Sequence, residues 1–186
     1  MPAARGLSAS FVRTLGERDR IYVTRTDGSS VSWAMASYGD APPHDLVHLV
    51  VESVFGLAQG FWGRVNGGVD PGAVTREANR RGGRDKYAAF GPDQAELQLA
   101  ETLANVGWLG EETSTALLAQ AAAGYRELGI EPPPFLSVGL VERLRAVLTD
   151  LTRRWQALGA KGALDLAFEP SDPQRGFERL QERAPA

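Results

Sequence analysis

Residues 20–38 alternate as strands do. The runs RIYVTR at 20–25 and VSWAMASY at 31–38 set β-branched and aromatic residues against small or polar ones, with Thr26-Asp27-Gly28-Ser29 between them. Aspartate and glycine tolerate the positive φ that tight turns need, so the three pieces predict an antiparallel hairpin. Residues 6–14 are a further strand candidate. Residues 162–168 (GALDLAF) alternate as a last strand that joins the hairpin.

Between these ends the period changes to that of helices. Gly39 to Pro43 breaks the strand, and a proline suits a helix start, where its missing N–H has no intrahelical partner. A helix is expected over 43–57, with Gly56 and Gly60 marking its end. Residues 63–91 are rich in glycine, arginine and aspartate and read as a long irregular segment with one short helix near 74–80. A loop of that length is expected to be functional or mobile. A helix over 93–106 opens with Asp93 and Glu96, a capping-box pattern. Another runs over 111–128 and stops at Gly129. After the stiff Glu131-Pro132-Pro133-Pro134 link, Ser137 caps a helix to 158, with Val141, Leu144, Leu148, Leu151, Trp155 and Leu158 at helical spacing. The expected fold is α+β: a small antiparallel sheet, made of the N-terminal hairpin and the C-terminal strand, packed against about four helices. One domain covers 1–170, and 171–186 follows as a polar C-terminal tail.

The helix over 43–57 differs from the others. At about 100° per residue, His44, Asp45, His48, Glu52 and Gln59 fall within one narrow wedge, which Phe55 alone interrupts. Leu46, Val47, Leu49, Val50, Val51, Val54 and Leu57 cover most of the remainder. That is a largely buried helix with one polar stripe.

Composition narrows the classes of function. Apolar residues make up 43% of the chain and charged residues 23%, both ordinary for a globular protein. The net charge of −3 gives no basic field to draw the molecule onto nucleic acid. Cysteine is absent, which removes disulfides, thiolate metal sites and cysteine nucleophiles together. No apolar run approaches the ~20 residues that span a membrane, and the first ten residues lack the pattern of a signal peptide. The expected location is cytoplasmic, with a small molecule or a protein as partner, and neither nucleic acid nor membrane.

His44 and His48 are the two histidines of the chain. At i and i+4 they lie one turn apart on the same helix face, where two imidazoles can hold one metal ion. The five residues from His44 to His48 resemble the H-E-x-x-H motif of zinc hydrolases, with Asp45 in place of its glutamate. The leading reading is therefore a metal-binding protein of the metal-dependent hydrolase kind. His44, His48 and Glu52 would hold a divalent transition metal, zinc or similar, and Asp45 would act as base or orient a ligand. Glu96 is a further carboxylate candidate, although a capping role already explains it. Three readings of the stripe stay open: a metal or catalytic site, a solvent-facing edge, or a buried polar network that holds the helix in place. The last two belong to a rival function, a non-catalytic interaction protein. The basic cluster Arg76, Arg80, Arg81, Arg84 and Lys86 reads as a solvated loop.

Overall fold

The computed structural model describes residues 6–14, 18–35, 39–80 and 94–182. Four strands, β1 (Leu7–Val12), β2 (Arg20–Thr24), β3 (Ser30–Ala34) and β4 (Ala163–Phe168), form one antiparallel sheet in the order β3-β2-β1-β4. The fold is α+β, as the pattern of periods predicts. The hairpin closes as expected: Gly28 adopts φ +85°, its N–H donates to the Arg25 carbonyl, and Asp27 Oδ1 accepts from the Ser29 N–H. β4 joins the sheet through β1 rather than through the hairpin itself. The register aligns Phe11 with Ile21 and Leu164, and Ala9 with Val23 and Leu166. A single face of the sheet therefore carries the buried residues, while Ser8, Tyr22 and Thr24 lie on the exposed face.

Seven helices follow among the described residues: α1 (His44–Phe55), α2 (Phe61–Asn66), α3 (Pro71–Arg80), α4 (Ala95–Ala104), α5 (Ser114–Glu127), α6 (Val138–Gln156) and α7 (Pro173–Glu182). α1 is the central one and packs against α2, α4, α6 and α7. Pro43 precedes it, and Gly56 closes it in the left-handed conformation that glycine adopts without a Cβ penalty. Ser137 caps α6 by accepting from the Leu140 N–H, and Thr113 caps α5 in the same way through Ala116.

Three expectations change. The segment 63–91, read as irregular apart from one short helix near 74–80, contains most of α2 as well as that helix, α3, which begins earlier at Pro71, and it is tied to the sheet where Arg25 donates to the carbonyls of Val65 and Val69. The remainder of that segment, 81–91, lies outside the described residues, and with it most of the basic cluster. Arg76 of α3 sits on the surface, 4.0 Å from Asp70. Residues 171–186, read as a polar tail, contain α7, which lays Pro173, Gly176, Phe177 and Leu180 against the body of the protein. Those four positions follow i, i+3, i+4, i+7, the spacing of one helix face. Finally, α4 starts at Ala95 after Gln94, without a side-chain cap, and Glu96 accepts instead from the backbone N–H of Gln59. Asp93, the other half of the expected capping box, lies outside the described residues.

Candidate functional site

The polar stripe of α1 runs from the surface into the core. The His44 side chain is 41% exposed, His48 3% and Glu52 0%. A solvent-facing edge would be exposed along its length, so that reading fails for the inner half of the stripe.

Glu52 is ionisable, fully buried and surrounded by donors. Its Oε1 accepts from the Phe61 N–H (3.1 Å) and its Oε2 from the Trp62 N–H (2.9 Å), at the start of α2. Its Oε1 also lies 3.1 Å from His48 Nδ1. Burying a carboxylate costs several kcal/mol unless it is paired and hydrogen-bonded, and these three contacts are the compensation. Burial raises the Glu52 pKa, against the pull of His48 and the two backbone N–H groups.

The other nitrogen of His48, Nε2, lies 3.1 Å from Glu101 Oε2. Glu101 comes from α4, which runs beside α1. Its second oxygen, Oε1, is 3.5 Å from His44 Nε2 and 3.0 Å from Asn105 Nδ2. His48 is thus held between two carboxylates. Burial alone would lower its pKa, but the hydrogen bonds to Glu101 and Glu52 outweigh it and raise the pKa to about 9. Each ring nitrogen faces a carboxylate oxygen, an arrangement that favours the protonated ring. Glu101 is held well below the usual carboxylate range by its hydrogen bonds to His44 and His48. The Phe61 ring covers His48 at 5.7 Å between centroids, and the two imidazoles meet edge to face at 4.8 Å.

His44, His48 and Glu101 each offer one ligand atom, and these atoms all lie within 4.8 Å of one another. A tetrahedral ion with bonds of about 2.1 Å needs ligand atoms about 3.4 Å apart. His44 Nε2 lies 3.5 Å from Glu101 Oε1 and His48 Nε2 lies 3.1 Å from Glu101 Oε2, so the two imidazoles meet different oxygens of one carboxylate, and the three groups must draw closer to share one ion. The expected pair His44 and His48 is therefore brought together, with Glu101 as the adjoining carboxylate. Glu52 stands behind His48, on the nitrogen remote from Glu101, where metal-bound histidines are commonly oriented by a carboxylate. Asp45 faces elsewhere: its Oδ2 accepts from Trp33 Nε1 (2.9 Å), and its backbone carbonyl accepts from Trp62 Nε1 (3.0 Å). Glu96 also lies outside the group.

Sequence reasoning passed over Glu101. One signal was available: Glu101 stands four residues after buried Leu97 on a helix whose Ala100, Leu103 and Ala104 are also buried, so it flanks the packed face. What it meets there is set by a residue 53 positions away. Comparison with protein families, curated proteins and solved structures finds nothing that matches this chain.

Proposed function

We propose that the protein binds a divalent transition metal through His44, His48 and Glu101, and that Glu52 orients His48 for this role. The observation that carries the reading is the convergence of three ligand groups from α1 and α4, with the far nitrogen of the middle ligand on a buried carboxylate. Two imidazoles and one carboxylate suit zinc, iron(II), manganese or nickel and leave coordination positions free. His44 and Glu101 are both part-exposed, so those positions face solvent. A metal with a free position on that side lowers the pKa of bound water and can polarise a carbonyl or phosphoryl oxygen. A metal-dependent hydrolase is the activity that suits such a site. Asp45, held by Trp33 outside the group, is not needed for binding in this reading.

A rival reading draws on the same geometry. His48 is fully satisfied without a metal, since each nitrogen has its own carboxylate. The cluster then serves as a buried polar network that pins α1 to α2 and α4, in a non-catalytic binding protein. Elemental analysis of the purified protein and a zinc titration of the chelator-treated form separate the two. A stoichiometric metal, lost in the His44→Ala/His48→Ala double variant, supports the metal site. No saturable binding, with thermal stability unchanged by chelator, leaves the network reading.

A further inference from the structure

A second site lies at the other end of the α1–α4 pair. A pocket of about 380 Å³ opens between the end of α1, the start of α4, α5 and the proline-rich link. That volume falls in the range of small-molecule sites, roughly 300–1,000 Å³. Its walls include Phe55, Leu99, Ile130 and Phe135. Phe135 is 44% exposed, a large apolar residue left at the rim.

Four polar residues stand on this apolar lining: Gln59, Glu96, Tyr125 and Glu131. Tyr125 is 3% exposed, and its hydroxyl is buried without a hydrogen-bond partner among the described residues. The hydroxyl has almost no accessible surface, so the residue contributes its ring to the pocket wall. Burial, and then the neighbouring Glu96, hold the phenol well above its ordinary pKa, so it adds no negative charge to the wall. Glu96 and Glu131 both line the pocket, and no arginine, lysine or histidine does so among the described residues. Glu131 is exposed and has no ion-pair partner there. Two of the aromatic side chains, Phe55 and Tyr125, meet at 6.3 Å between centroids. Aromatic faces beside carboxylates favour an organic cation over an anion.

We propose that this pocket binds a small hydrophobic ammonium ion, its apolar body between Phe55, Leu99, Ile130 and Phe135 and its charged head at Glu96 and Glu131. The apolar walls supply the area removed from water, and the two carboxylates supply the preference for positive charge. The site is independent of the metal reading, since none of its groups belongs to the His44, His48 and Glu101 cluster.

The test is a calorimetric titration of the full chain with three probes of similar shape: phenethylamine, phenethyl alcohol and hydrocinnamate. The amine is expected to bind at least about tenfold more tightly than the alcohol, and the acid not at all. Glu131→Gln removes one charge from an exposed position, where the fold is untouched, and should weaken the amine about tenfold while leaving the alcohol unchanged. Phe135→Ala shortens the apolar wall at an exposed position and should weaken the amine and the alcohol alike, with the unfolding midpoint unchanged. Equal binding of the three probes, or none, would overturn the proposal. So would a Phe135→Ala protein that binds both probes normally, because the ligand would then lie elsewhere.

Discussion

Gly60 lies hard against the carboxylate of Glu52: a Cβ on this glycine would stand 2.7 Å from both Glu52 Cδ and Oε2, and 3.2 Å from the Ala100 Cβ. The carboxylate cannot step aside freely, because it is pinned by two backbone N–H groups and by His48. Gly60→Ala is therefore expected to break part of this cluster. The cost should be about 1–3 kcal/mol, the range for an overpacked site or a buried group left unpaired. Urea unfolding measures it, and a loss below about 0.5 kcal/mol would mean that the carboxylate is free to move.

Stability of the metal-free protein should depend on pH through His48. Its folded pKa is raised from 6.5 to about 9, so its contribution is fully present below about 6.5 and is lost as the pH rises through 9. Glu101 is shifted the other way. Its share is present above its ordinary value of 4.5 and is lost as the pH falls toward its depressed folded pKa. The two shifts largely describe one contact from its two ends and are not to be added. Unfolding free energy should decline by a few kcal/mol at most between about pH 6.5 and 9, and His48→Asn should remove that decline. An unchanged alkaline slope in the variant would place its origin elsewhere.

Asp45→Asn should be nearly neutral. The amide oxygen of asparagine can still accept from Trp33 Nε1, and the Asp45 carbonyl that holds Trp62 is part of the backbone. A change in unfolding free energy within about 0.5 kcal/mol is expected, with metal binding unaltered. A large loss of metal affinity would bring Asp45 into the site after all.

The parts of this fold that follow from local chemistry were readable in the sequence, and the parts that follow from distant contacts were not. Pro43 and Gly56 bracket α1 because each has a backbone reason to stand at a helix end. The Asp27-Gly28 turn and the Ser137 cap are of the same kind. α2 was hidden because it contains Gly63, a residue that disfavours helices; the glycine is needed because the turn into α2 leaves no room for a Cβ, which would meet the Ala58 carbonyl oxygen at 1.8 Å. The pattern of α1 placed His44, His48 and Glu52 on one stripe. It could not say that the stripe dives inward, since that depends on α2 arriving with two free N–H groups to receive Glu52. Glu101 was missed for a related reason. Helix spacing relates residues on one element, and this pairing joins two.

The ordering of substitution effects within the cluster distinguishes a metal site from a structural network. Glu52 and Glu101 both touch His48, but one is fully buried and the other is about one-third exposed. Glu52→Gln leaves an amide where His48, Phe61 and Trp62 all require an acceptor. It should cost about 1–3 kcal/mol of stability. If His48 is a ligand, Glu52 acts on the metal only through the orientation and basicity of that ring, so affinity should fall roughly 10–100-fold. Glu101→Gln has the opposite balance. Its oxygens already reach solvent, and the change should cost less than about 1 kcal/mol. As a direct ligand, however, its loss should reduce affinity by more than the Glu52 change does, because a charged donor is replaced by a neutral amide. His44→Ala should follow Glu101→Gln: little effect on folding and a severe effect on metal. Zinc titrations and urea unfolding on the three variants supply both columns of the comparison. The metal reading requires that the rank order for affinity differ from the rank order for stability, with Glu52 first for folding and last for binding. A network that holds no metal gives the stability order alone, with Glu52→Gln the most damaging change and no saturable zinc binding in any of the proteins.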